Sequence, residues 1–173
     1  NFTAAGVTTA NAVLAKLDAS GAICLFSNTA ADVIVDVAGW FPDTTAFEPL
    51  DTPARLADTR AGFETVDGEF AADGLVPADS VYELDVGGRS GLPLTGGSVA
   101  LNVTATGTAG PGFLTVYACD QPRPNASNVN YAAAGATRPN AVLARLAPDG
   151  RVCIYTFAAT HLVVDVSGFL PAG

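Results

Sequence analysis

The chain has 173 residues, with eight Lys and Arg against 17 Asp and Glu, a net charge of −9, and 49% apolar side chains. That balance excludes a phosphate backbone as natural partner, because nucleic acid needs clustered cations and Lys16 is the only lysine; it also disfavours an anionic membrane surface. No apolar run approaches the ~20 residues of a membrane helix, and the length allows one large domain, or one and a half small ones, with a core that needs no metal.

Ala, Gly, Val and Thr dominate, with Pro scattered throughout, a mix suited to short strands joined by turns. In chain order, strands are predicted at 11–17, 22–27 and 33–37, the last with Val33, Val35 and Val37 on one face of a period-2 pattern. Further strands follow at 54–58, 80–85, 99–105, 112–118, 126–131, 140–146, 151–156 and 162–169. Asp18-Ala19-Ser20-Gly21, Gly110-Pro111-Gly112 and Asp149-Gly150 read as turns, and the acidic stretch from Phe63 to Asp79 as a surface loop. No window longer than about 12 residues holds a helical period. The fold class expected is all-β, an antiparallel β-sandwich or jelly-roll-like module.

An internal repeat organises the chain. Residues 1–44 align without a gap onto 130–173, and 19 of these 44 positions are identical. Asn1-Phe2 falls on Asn130-Tyr131, Asn11 to Leu17 on Asn140 to Leu146, Ile23-Cys24-Leu25-Phe26 on Val152-Cys153-Ile154-Tyr155, and Val35-Asp36-Val37 on Val164-Asp165-Val166. Residues 1–44 are therefore expected to be the second half of a first module, 45–50 a connector, and 51–173 a complete second module, about one and a half tandem repeats. One domain with two related halves and a long insertion is the other arrangement that the pattern allows. The absence of Met and of a signal-peptide pattern leads us to expect a processed product or a fragment.

Three cysteines make an odd number. Cys24 and Cys153 are repeat equivalents, and Cys119 precedes the repeated segment of the second module. If each module pairs its own two cysteines, Cys119 bonds Cys153 and the partner of Cys24 lies outside residues 1–173. Such a bond implies an oxidising compartment; three free buried cysteines in a reduced protein is the alternative.

Asp165 sits in an apolar strand, where a carboxylate is costly unless paired. It is expected to meet Arg60 or backbone amides in a polar cluster with Asp58, a structural arrangement rather than a catalytic one; Asp36 is its equivalent in the first half-module. No Gly-x-Ser-x-Gly, metal-spaced His set or phosphate loop occurs, so no catalytic, cofactor or metal residue is assigned and no enzyme activity is expected. Trp40, Tyr117 and Tyr155 are the main candidates for stacking on a sugar face, with Tyr131 and Phe157 beside them, although packing explains most aromatics. An acidic calcium site near Asp67, Glu69 and Asp73 is a lesser candidate.

The run Ala54-Arg55-Leu56-Ala57-Asp58-Thr59-Arg60, then Leu101 to Thr106, Gly112 to Cys119, Ala126 to Tyr131, Val152 to Tyr155 and Val163 to Phe169 resembles a repeat module found, often in tandem, in large secreted bacterial proteins. The first half-module carries the later motifs alone, with Trp40 where the second copy has Phe169. The resemblance implies secretion and modularity and brings no established activity. The function expected is an extracellular structural or scaffolding module, self-associating into a fibre or surface assembly by strand or module complementation. Its partners would be other copies of itself or neighbouring modules. The competing class is a polysaccharide-binding or adhesion module.

Overall fold

The computed structural model of the chain describes residues 5–6, 9, 11–37, 40–41 and 46–172. Asn1-Phe2, Ala38-Gly39 and positions 42–45 of the expected module boundary lie outside the described residues. Among the described residues eight strands form: β1 (Glu48–Asp58), β2 (Ser80–Asp85), β3 (Ser98–Thr106), β4 (Gly112–Ala118), β5 (Val129–Tyr131), β6 (Thr137–Arg145), β7 (Arg151–Thr156) and β8 (His161–Leu170). The only helical element among the described residues is a 3-10 turn at Arg89–Gly91, and no helix there is long and apolar enough to cross a membrane.

One sheet runs β1-β8-β3-β6 and the other β2-β7-β4-β5, with antiparallel ladders between all neighbours. β1 pairs with β8, β2 with β7, β3 with β6 and β4 with β5, as though a long hairpin closed at β4-β5 were rolled up. Rolling then brings β8 against β3 and β7 against β4. Two four-stranded sheets connected in this way are a jelly roll.

The period-2 pattern sets the inward faces. Leu56, Val99, Leu101, Val103, Val142, Leu162, Val164 and Val166 from the first sheet meet Leu84, Leu114, Val116, Val129, Val152 and Ile154 from the second in one core. Gly168 stands where the chain crowds: a Cβ there would meet the Glu48 carbonyl oxygen at 2.5 Å and the Phe47 ring at 2.6 Å. The Gly of the Val-Asp-Val-x-Gly-aromatic motif thus lets β1 and Phe47 close over β8. β1 begins at Glu48, so the expected connector at 45–50 is already strand over its last three residues.

Residues 11–37 depart from expectation. The segments 11–17, 22–27 and 33–37 hold no strand, and between them only the turn at Asp18–Gly21 is built. There the Gly21 amide donates to the Asp18 carbonyl at 3.0 Å, and the Asp18 carboxylate accepts from the Ser20 and Ala22 amides. Residues that are core in one copy face solvent in the other: Val35 is 57% exposed where Val164 is 0%, and Leu25 is 63% exposed where Ile154 is 0%.

Strand order supplies the reason. The equivalents of the three segments in the complete module are β6, β7 and β8. β6 pairs with β3, β7 with β2 and β4, and β8 with β1 and β3; no two of the three pair with each other. A repeat segment that carries only these strands has correct side-chain alternation and no ladder to join. Backbone hydrogen bonding then gives it no reason to be a strand.

Candidate functional site

The polar cluster forms at the end of β1 and is centred on a residue that the sequence did not single out for it. Arg55 lies directly across from Asp165 in the β1–β8 ladder. Its Nε donates to Asp165 Oδ1 at 2.9 Å, and its Nη1 donates to Asp58 Oδ2 at 3.1 Å. Arg60 grips the other side of Asp58 with two parallel bonds, Nε to Oδ1 at 2.9 Å and Nη2 to Oδ2 at 2.7 Å, and its backbone amide adds a third at 3.2 Å. The expected partner of Asp165, Arg60 or backbone amides, is thereby corrected to Arg55. Arg60 lies beyond the strand end and turns back onto Asp58, with its guanidinium 3.8 Å from the centre of the Phe63 ring.

Thr59 completes the corner. Its amide donates to the Leu162 carbonyl, and its hydroxyl accepts from the Leu162 amide at 3.0 Å and lies 3.0 Å from His161 Nδ1. The Asp-Thr-Arg motif therefore carries the β1–β8 ladder past its last regular pair.

Asp58 is fully buried. Burial pushes its carboxyl up, but the hydrogen bonds and charges of Arg60 and Arg55 outweigh it and hold the carboxyl below the ordinary range. A carboxylate saturated by two guanidiniums is a poor proton acceptor at neutral pH and a good clasp.

A folded pKa below the unfolded value of about 3.9 means the contribution is fully present above that value and is lost as pH falls through the folded pKa. Asp67, held low first by its hydrogen bond from Arg89, acts in the same direction. The melting temperature is therefore expected to be level from about pH 7 to 5 and to fall below about pH 4. Asp58→Asn is expected to cost about 2–3 kcal/mol at pH 7, with the partly exposed arginines softening the loss, and to flatten the acid limb. Thermal melts from pH 2 to 7 on both proteins test this; an unchanged acid limb in the variant would refute the assignment.

The disulfide Cys119–Cys153 forms as the repeat suggested. It ties the β4–β5 loop, residues 119–128, over the outer face of the second sheet. Asn128 anchors the loop's far end: its amide donates to the Leu114 carbonyl at 2.8 Å and its side-chain Oδ1 accepts from the Val116 amide at 2.8 Å, standing in for a missing strand partner. Cys24 is exposed and free.

Beside this loop lies a groove of about 270 Å³ lined by Phe113, Arg123, Pro124, Asn125, Ala126 and Ser127. Phe113 stacks on Phe157 at 5.1 Å and 20°, and Phe157 is half exposed. No family model and no curated protein matches this chain, so the groove and the cluster stand on their own chemistry.

The expected stacking residues fare unevenly. Tyr155 is buried: Arg123 lies 3.9 Å over its ring and its hydroxyl donates to Asp79 at 2.7 Å, so it is covered rather than offered to a ligand. Tyr117 is half-buried on β4, Tyr131 is buried on β5, and Trp40 is exposed among the residues before β1. Structure brings none of Trp40, Tyr117 and Tyr155 into one exposed platform; the aromatic face that does form is Phe113 with Phe157.

The acidic residues of the Phe63–Asp79 loop are likewise engaged. Asp67 is bound by Arg89, and Asp73 accepts the Tyr82 hydroxyl at 2.5 Å. Among the described residues no three acidic, His or Cys side chains converge in a cation-binding group. Arg89, which no sequence pattern distinguishes from the other arginines, is 8% exposed and holds this loop to the sandwich.

Proposed function

We propose that the chain is an extracellular structural or scaffolding repeat module, and that it associates with other copies of itself. The observation that carries this reading is the repeat itself. The segment at 11–37 copies the core strands β6–β8 of a folded jelly roll, yet keeps their apolar side chains in solvent beside a complete module. An exposed apolar stretch of that extent drives association. Supporting it, the buried charges of the complete module are engaged in strand-to-strand clasps, the Cys119–Cys153 bond suits an oxidising compartment, and the acidic surface keeps such a module soluble outside a cell.

Size-exclusion chromatography with light scattering, followed by negative-stain imaging of the fractions, tests the proposal. Concentration-dependent oligomers or filaments are expected. A monodisperse monomer at high concentration would remove self-association and leave a scaffolding module alone.

A second reading is favoured by one specific feature, the half-exposed Phe157 stacked on Phe113 beside a groove with Arg123, Asn125 and Ser127 on its wall. An apolar ring next to hydrogen-bonding side chains suits a flat sugar face. Calorimetry against a panel of soluble polysaccharides, repeated with Phe157→Ala, decides it: binding that the substitution abolishes favours adhesion, and no heat with any polysaccharide removes that reading.

A further inference from the structure

We infer that residues 31–37 of one copy add as a strand to the open edge of β6 in a second copy, antiparallel, with Asp32 opposite Arg145 and Ile34 opposite Leu143. The inference rests on the self-association proposed above and names the surface through which it works.

Backbone polarity defines the acceptor. The β3–β6 register runs without a shift. The Leu146 amide donates to the Gly97 carbonyl and so continues that ladder. The Ala141 amide turns away from β3 and donates to the side-chain Oδ1 of Asn11 at 3.0 Å. Amides alternate sides along an antiparallel strand, so those of Leu143 and Arg145 also point off the edge of the sheet. Ala141 shows that this edge takes an acceptor that comes within reach. A row of such groups is a template for a further strand.

The other three edges are closed, short or of the wrong charge. β1 holds Pro49 and Pro53, and the loop after it covers its far end, bonding the backbone of Arg55 and Asp58 through Val66, Phe70 and Ala72. β5 is three residues long. β2 carries Glu83 and Asp85 and no cation, whereas β6 carries Arg138 and Arg145 and no acid.

The donor matches β6. Residues 31–37 read Ala-Asp-Val-Ile-Val-Asp-Val, with two acids and no cation. Like charges directly opposite destabilise a strand pair, so β2 repels this segment and β6 attracts it. Its β-branched residues favour a strand. Val33, Ile34, Val35 and Val37 are 57–86% exposed, and among the described residues no backbone hydrogen bond reaches them. In the inferred register Val33 and Val35 extend the inward face of Ala144 and Val142, both buried. Ile34 falls beside Leu143, which is 60% exposed. Asp32 falls opposite Arg145, whose half-exposed guanidinium has Asp120 as its carboxylate neighbour. Donor and acceptor are different surfaces of one chain, so copies can add in succession.

Residue-resolved amide exchange across a concentration series tests the inference on the whole chain. Exchange at Ile34, Leu143 and Arg145 is expected to slow together, at least ~10-fold, as the chain assembles. Leu143→Pro removes one edge donor, and Pro139 already occupies an equivalent outward position, so the ladder to β3 is retained. The variant is expected to weaken self-association, measured by sedimentation, at least ~10-fold. Asp32→Arg and Arg145→Asp are each expected to weaken it about 3–5-fold, and the two together to restore it. Slow exchange at Leu101 and Val103 reports in each variant that the module has folded, and the charge swap decides the matter if the proline variant does not fold. Oligomers in which Leu143 and Arg145 still exchange fast would overturn the inference and leave the scaffolding proposal standing. A folded Leu143→Pro chain that assembles as the parent does, or a charge swap that restores nothing, would do the same. Protection at Ile34 and Leu143 that ignores concentration would also overturn it, because the segment would then lie on its own module. A monomer at every concentration would overturn both the inference and self-association.

Discussion

Replacing Cys119 and Cys153 together by alanine is expected to destabilise the complete module by about 3–4 kcal/mol, the loop-closure value for their separation of 34 residues. The two sulfurs lie on the outer face of the second sheet, where β4 and β7 are already paired through Tyr117 and Cys153. Cys153 is buried beneath the β4–β5 loop but stands outside the inter-sheet core cluster, so the effect acts mainly on the unfolded chain, which becomes freer. Two signatures follow: the urea midpoint falls while the dependence on urea steepens, because the unlinked chain exposes more surface, and the melting temperature drops by roughly 10 °C. Urea titration of the double variant checks this. A loss below about 1 kcal/mol would mean that the bond contributes little beyond the loop it covers.

Arg89→Met is expected to cost about 3 kcal/mol. The guanidinium donates in three directions: Nε and Nη2 to the Asp67 carboxylate, both at 2.7 Å, Nη1 to the Asp85 carbonyl at 2.8 Å, and Nη2 to the buried Leu56 carbonyl at 2.9 Å. It therefore joins β1, β2 and the Phe63–Asp79 loop at one point, with the Phe70 ring 5.1 Å from its centre. Methionine fills the volume and satisfies none of those acceptors. Lysine keeps the charge but cannot fork, so Arg89→Lys is expected to recover less than half of the loss. Chemical denaturation of both variants measures it; a lysine variant as stable as the parent would show that charge alone suffices. Faster amide exchange in residues 63–79 should accompany either substitution.

The strands of the complete module were legible because alternation is a local signal. Val99, Leu101 and Val103 read as one face from sequence, and they are one face. Partner identity is not local. Val33, Val35 and Val37 alternate just as well, yet form no strand, because a period of two records which way side chains point and not whether a neighbouring strand exists.

The same limit explains the polar cluster. That Asp165 needed a cation followed from its apolar surroundings. That the cation is Arg55 rather than Arg60 depends on cross-strand register, which two bulges in β1 shift away from simple counting. Tyr155 packs rather than stacks on a ligand for a related reason: it faces outward, but the loop tied by Cys119–Cys153 folds over that outer face and lays Arg123 upon the ring. A cysteine two positions away on the same face was the signal that this side of the strand is roofed.

The pairing of Glu48 with Phe169 places the entry and exit of the module side by side at one end of neighbouring antiparallel strands. Pulling on the chain at those two points would open the β1–β8 ladder from its end, one bond at a time, rather than load all its bonds in parallel. Modules strung through such adjacent ends hang beside the thread like pendants and add little to its length. An array of this kind suits crowding many copies along a short stalk and is poorly suited to bearing tension along its axis.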